Sequence, residues 1–226
     1  MFILRKGYCR IFQKVFRAAL PFLPYRKPKL LHSVKEIPGV CRKWKVDSVM
    51  LVTDPGIRSM GLTDFLEKTL EESGIDCCVY DRTVANPTIW NVEEARELYL
   101  ENGAQAIIAF GGGSSMDCAK AAGARIAKPR QSISQMKGLL KVHKRLPLLI
   151  AVPTTAGTGS ETTLAAVITD SEKHYKYPIN DFSLIPFYAV LDYHETVGLP
   201  PQITATTGMD ALTHAVEAYI GRSTTK

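Results

Sequence analysis

Two residue groupings in this 226-residue chain have the types and spacing for chemistry. Asp210 and His214 stand four residues apart in a stretch of helical periodicity, so a carboxylate and an imidazole leave the same helix face one turn apart. Together they could share one Fe²⁺ or Zn²⁺ ion, although a catalytic metal takes three or more protein ligands; taken alone, the pair reads first as a helix-surface ion pair. The second grouping is Gly111-Gly112-Gly113-Ser114-Ser115, which follows the apolar run 106–110 and opens a helix. Three glycines let a backbone approach a ligand with no Cβ in the way, and the free N–H groups of the following helix favour an anion. A pyrophosphate fits that arrangement, and an ordinary glycine-rich strand-to-helix turn is the alternative. A further small-residue loop, Pro153-Thr154-Thr155-Ala156-Gly157-Thr158-Gly159-Ser160-Glu161, follows another apolar run and can face the first.

The elements that must position these groups alternate short apolar runs with longer amphipathic segments, which predicts βα units and a parallel sheet covered by helices. Strands are expected over 48–52, 75–80, 106–110 and 146–152, with further strands over 164–169 and 189–191. Helices are expected over 62–72, stopped by Gly74, and over 91–101, with Trp90, Ala95 and Leu98 on one stripe. Another opens near Ser115. Pro200-Pro201 suits a helix start, and 207–220 carries helical periodicity through Met209, Leu212, Ala215, Val216 and Tyr219.

A composition of 46% hydrophobic and 22% charged residues is that of an ordinary globular protein. The net charge of +6 belongs to the N-terminal arm, because residues 1–35 hold nine basic residues and no acidic one. The body therefore offers no basic face, and no nucleic-acid partner is expected. In the arm, Ile11, Val15 and Ala19 run among Arg10, Lys14 and Arg17 as a short basic amphipathic helix. Such a helix could contact an anionic membrane surface or act as a transit-like segment, but the expectation is that it docks its apolar stripe on the protein's own body. Five cysteines, at 9, 41, 77, 78 and 118, show neither a CxxC pair nor the spacing of a disulfide framework, which points to reduced thiols and a cytoplasmic location. Cys77 and Cys78 lie in a strand-like run and are expected to be buried.

The motifs 111–117, 153–161, Leu199-Pro200-Pro201 and 207–219 stand in an order and spacing that resemble the iron-containing alcohol dehydrogenase family over roughly residues 32–226. That resemblance implies a Rossmann-like parallel-sheet α/β domain followed by an all-helical metal-binding domain. It makes Gly112, Gly113 and Ser114 a pyrophosphate loop, continued into the helix by Asp117 and Lys120. Thr154, Thr155 and Thr158 match the second loop, near the cofactor phosphates and nicotinamide. Asp54 matches an acidic residue near the adenine ribose, where a carboxylate accepts from a free 2′-hydroxyl and repels a 2′-phosphate, favouring NAD over NADP; its alternative is simple turn formation in Asp-Pro-Gly. Lys176 matches a lysine beside the nicotinamide. Asp210 and His214 match the first two metal ligands, with Fe²⁺ or Zn²⁺ polarising the oxygen of an alcohol or aldehyde substrate during hydride transfer.

Domain boundaries follow from the same reading: a basic arm over 1–31, an NAD-binding α/β domain over 32–198, and over 199–226 the first helix of the helical domain. The expectation is that the chain stops short of two further histidine ligands, that Leu212, Val216 and Tyr219 are then left exposed, and that the full-length protein is a homo-oligomer. The competing reading is a non-catalytic nucleotide-binding module recruited by its basic arm.

Overall fold

The computed structural model describes residues 2–19 and 22–221. Its core is a six-stranded parallel sheet of β1 (Lys29–Leu31), β2 (Ser48–Val52), β3 (Asp76–Tyr80), β4 (Ala106–Gly111), β6 (Leu148–Pro153) and β9 (Tyr188–Val190), in the order β1-β9-β6-β4-β2-β3. β4 and β6 are apolar along their whole length and every residue in them is buried, as expected of central strands covered on both faces. Alternation along the strands divides the core in two. Met50, Val52, Ile107 and Ala109 face helices α5 (Ile89–Glu101) and α6 (Gly113–Ala127). Val49, Leu51, Ile108 and Phe110 face α2 (Ile37–Trp44) and α4 (Asp64–Glu72).

Local chemistry starts and stops these elements. Thr88 caps α5 in a reciprocal capping box with Asn91, and Gly74, at φ +69°, follows α4 in the left-handed conformation that a chain reversal needs. Asp54 caps the short helix α3 (Pro55–Ser59), and Pro201 opens α8 (Pro201–Ile220) at its first position.

Several expectations are corrected. The buried stripe of α5 is Val92, Ala95 and Tyr99, whereas Trp90 is 72% exposed, because at 3.6 residues per turn it leaves the helix on the face opposite that stripe. Cys77 and Cys78 are half-buried, since β3 is an edge strand with a single neighbour. After the second loop β7 (Ala165–Asp170) runs antiparallel to β8 (Tyr175–Asn180), and β5 (Gly138–Leu139), from before the loop, pairs with β8 to complete a separate three-stranded sheet. The sheet begins at Lys29, within the stretch assigned to the arm. The amphipathic helix of the arm forms, as α1 (Phe2–Ala19), but Ile11 and Val15 are 66% and 63% exposed, so those two side chains do not dock on the body. No helix among the described residues is long and apolar enough to cross a membrane.

Candidate functional site

From β2 the chain steps to β3 on one side, then crosses back to β4 on the other, so the C-terminal ends of β2 and β4 flank a topological switch point, where open α/β sheets form their ligand crevice. Asp54 follows β2 and the glycine loop follows β4. A cavity of about 530 Å³ lies there, with Asp54, Gly113, Ser114, Thr154 and Thr155 on its polar side and Leu199 and Ile203 among its apolar walls.

The loop geometry demands its glycines. Gly111 has φ +142°, and a Cβ there would lie 2.6 Å from the Ser115 hydroxyl. A Cβ on Gly113 would lie 3.0 Å from the Thr158 methyl. Helix α6 then starts with no side-chain cap, leaving its first N–H groups aimed at the cavity. The two loops are joined where the Thr154 N–H donates to the Gly111 carbonyl at 3.0 Å. Thr154 is 1% exposed, yet its hydroxyl has no hydrogen-bond partner among the described residues. A buried hydroxyl left unpaired in a crevice wall has hydrogen-bonding capacity that the described residues do not use. Asp54 uses one oxygen to cap α3, accepting from the Ile57 N–H at 3.0 Å, and the other to accept from the Ser115 hydroxyl at 3.3 Å. Two carboxylate oxygens offer about four acceptor positions, so this carboxylate keeps capacity for a ligand. Turn formation and a ligand role coexist in it.

Six of the nine residues expected around a dinucleotide therefore line one cavity: Asp54, Gly112, Gly113, Ser114, Thr154 and Thr155. Thr158, Asp117 and Lys176 are placed otherwise. The Thr158 hydroxyl accepts from the Ser160 N–H at 3.2 Å, and its methyl packs on Gly113. The Asp117 carboxylate accepts from the Ser160 hydroxyl at 3.1 Å and the Val167 N–H at 2.9 Å. Lys176 Nζ donates to Asn86 Oδ1 at 2.6 Å, and Asn86, at φ +58°, donates its N–H to the Ser114 hydroxyl at 3.3 Å, so Lys176 reaches the glycine loop through one intermediary.

Lys120 emerges with a role that its motif position did not reveal. It is 1% exposed, and its ammonium group lies within 2.6–3.1 Å of five oxygens, of Ser160 (carbonyl and hydroxyl), Thr163 (carbonyl and hydroxyl) and Ala165. Asp117 and Lys120, three residues apart on α6, thus staple the second loop and the start of β7 to the helix that carries the first. Burial lowers the Lys120 ammonium to about 8, against the opposing pull of Asp117, and burial raises the Asp117 carboxyl against the stabilising charge of Lys120. The spacing was the available signal: two opposite charges at i and i+3 in a helix built largely of small and apolar residues.

Asp210 and His214 do share a face of α8, with His214 Nε2 3.7 Å from Asp210 Oδ1 and side-chain exposures of 60% and 44%. Among the described residues no group of three or more His, Cys, Asp or Glu side chains comes together, so these two donors alone do not enclose an iron or zinc ion. His194, in the short helix α7 (His194–Val197), pairs with Asp192 at 2.8 Å, in keeping with a structural role. Within α8 only Thr207, Asp210 and Ala211 are half-buried; Met209, Leu212, Val216 and Tyr219 are exposed, as expected.

Comparison with known proteins places this arrangement. A sequence model of iron-containing alcohol dehydrogenases matches residues 31–193. Alcohol dehydrogenase 4 of Schizosaccharomyces pombe is 43% identical over 173 residues, 76% of this chain and 41% of that one. The NAD-dependent methanol dehydrogenase of Bacillus methanolicus is 36% identical over 193 residues, 85% of this chain and 50% of that one. The crystal structure of sulfoacetaldehyde reductase from Bifidobacterium kashiwanohense in complex with NAD⁺ superposes with a TM-score of 0.76 at 31% identity, covering 86% of this chain and 52% of that one. The chain spans about half the length of the curated relatives it matches. With a parallel sheet, a switch-point crevice, an uncapped glycine-loop helix and a carboxylate–imidazole pair on α8, this chain belongs to the iron-containing alcohol dehydrogenase family.

Proposed function

We propose that this chain is the cofactor-binding portion of an NAD-dependent alcohol dehydrogenase, in which a hydride passes between a primary alcohol or diol, or the corresponding aldehyde, and NAD(H). The observation that carries the reading is the uncapped start of α6 beside the unpaired, buried Thr154 hydroxyl, with the Asp54 carboxylate at the other side of the same cavity. Those groups suit a dinucleotide: the N–H groups at Gly113 and Ser114 and the Thr154 hydroxyl meet the pyrophosphate, and Asp54 takes the adenine ribose 2′-hydroxyl. The NAD-dependent methanol dehydrogenase and the reductase solved with NAD⁺ support the choice of cofactor. When bound, the nicotinamide supplies the hydride acceptor.

The chain's own residues do the rest of the positioning. Thr158 packs on Gly113 and keeps the two loops in contact, and the Lys176–Asn86–Ser114 chain holds the small sheet against the glycine loop. Asp210 and His214 are two donors toward Fe²⁺ or Zn²⁺, and they fit such an ion in type but not in number. Free cysteines without a disulfide suit a reducing compartment such as the cytoplasm.

Calorimetric titration of the purified chain with NAD⁺ and NADP⁺ separately, alongside Gly113→Val, tests the assignment. Saturable binding that prefers NAD⁺ and disappears in the variant is the expected result, because valine would collide with Thr158 and fill the mouth of the crevice. A folded chain, by circular dichroism, that binds neither dinucleotide would overturn it.

A further inference from the structure

Helix α8 is exposed almost everywhere, so what little fixes its position has a large influence on where Asp210 points. Its half-buried residues, Thr207, Asp210 and Ala211, form one stripe at i, i+3 and i+4, and the stripe continues one turn earlier to Ile203, which lines the cavity. Asp210 thus belongs to the stripe that rests on the body, and the exposed His214 follows it one turn later. The seat is Gly157. A Cβ on that residue would lie 2.8 Å from the Thr207 carbonyl oxygen, 2.9 Å from its Cβ and 3.1 Å from its Cα. Two of those three atoms are backbone, which cannot rotate away, so any side chain at 157 has to push the helix off the loop. Gly157 itself does not line the cavity, yet it lies between Thr155 and Thr158, in the loop that Asp117 and Lys120 staple to α6.

We infer that Gly157 is a positioning residue: its bare Cα seats Thr207 and thereby fixes where Asp210 and His214 stand relative to the dinucleotide crevice. The loop has two contacts of opposite use. Thr154 and Thr155 face the crevice, and Gly157 faces α8. A ligand that orders the loop therefore orders the helix, so dinucleotide occupancy is felt at Asp210. This last consequence rests on the dinucleotide reading above; the seat itself does not.

Hydrogen–deuterium exchange over residues 201–220, read by mass spectrometry on the whole chain with and without NAD⁺, tests both parts. Three proteins are compared: the parent, Gly157→Ala, and Gly208→Ala, where an added Cβ on α8 meets nothing within 4 Å. In Gly157→Ala, exchange in α8 is expected to accelerate about fivefold while the unfolding midpoint of the sheet is kept. NAD⁺ is expected to slow α8 exchange in the parent and in Gly208→Ala but not in Gly157→Ala, whose affinity for NAD⁺ stays within about threefold of the parent. Unchanged α8 exchange in Gly157→Ala overturns the seat, as does NAD⁺ protection of α8 that survives the substitution. Loss of NAD⁺ affinity in Gly157→Ala also overturns it, since the residue would then serve the dinucleotide directly. If NAD⁺ fails to bind the parent while Gly157→Ala still loosens α8, the dinucleotide reading falls and the seat stands.

Discussion

Replacing Lys120 by Met keeps the volume of the side chain and removes its charge, so the change isolates the staple between α6 and the second loop. An ammonium group has three N–H bonds, and five oxygens compete for them here, so at most three hydrogen bonds are lost. Each buried acceptor left unpaired costs about 1–3 kcal/mol, but a loop near the surface recovers part of that from water. Three hydrogen bonds from a charged donor, each worth about 1.5–3 kcal/mol and discounted for that recovery, set the expected loss at about 3–5 kcal/mol. Against a total of about 5–15 kcal/mol it is a large fraction. At about 2–4 °C per kcal/mol for a chain of this size, the melting midpoint should fall by about 10 °C. Urea unfolding followed by circular dichroism measures the loss directly. The pH dependence adds a signed check. Burial lowers this ammonium to about 8 from 10.5, so between those values the unfolded chain binds more protons than the fold. Parent stability should therefore gain on the variant as pH rises through that window, by no more than about 1.4 kcal/mol per pH unit. A loss under about 1 kcal/mol at neutral pH, with no widening above pH 8, would refute the staple.

Asp54→Asn keeps a good helix cap for α3 but removes the charge, so the fold should hold while NAD⁺ affinity drops about tenfold and the preference over NADP⁺ shrinks; titration with both dinucleotides checks it, and an unchanged preference would count against the ribose role. Alkaline pH should destabilise the chain through its thiols. Burial raises Cys41 from 9.0 to about 11 and both Cys77 and Cys118 to about 12. The fold holds those protons longer than the unfolded chain does, so their contribution is complete below pH 9 and is lost as pH rises beyond it. Three thiols outweigh the single opposing lysine, and the urea midpoint should fall between pH 9 and 11, less steeply in Cys118→Ala; a flat profile would show the thiols to be exposed in solution.

Much of the scaffold was legible because it rests on local patterns. Continuous apolar runs at 48–52 and 106–110 mark central strands of a two-sided sheet, and the glycine loop announces its own backbone requirement. What stayed hidden depends on distant partners. β8 alternates Tyr, Lys and Tyr, a pattern that becomes a strand only through pairing with β7, and Trp90 reads as core until the surface over which α5 lies is known. At the site, residue types located the crevice, but not which groups face it. Asp117 and Lys120 carry charges that suggest a ligand, yet the donors that engage Asp117, in Ser160 and Val167, and the acceptors that engage Lys120, in Ser160, Thr163 and Ala165, lie forty to fifty residues on. Pro200-Pro201 marked the start of α8 at Pro201, while 202–206, with Ile203 its one large apolar side chain, added no periodicity of its own.

The pairing of β1 with β9 bears on how the chain is made. β1 lies at the edge of the sheet and β9 is its one neighbour, so the earliest-synthesised strand pairs with one close to residue 190. Pairings between such remote segments form late, because chain closure must precede any gain. On a ribosome adding about 5–20 residues per second, Lys29–Leu31 waits on the order of ten seconds for its partner to emerge. Until then β9 is missing from the sheet and the flank of β6 is open as well. A nascent chain with two unfilled strand positions exposes the kind of unpaired sheet edge that chaperones shield, and ahead of it runs the basic helix, whose Ile11 and Val15 stay exposed in the finished fold.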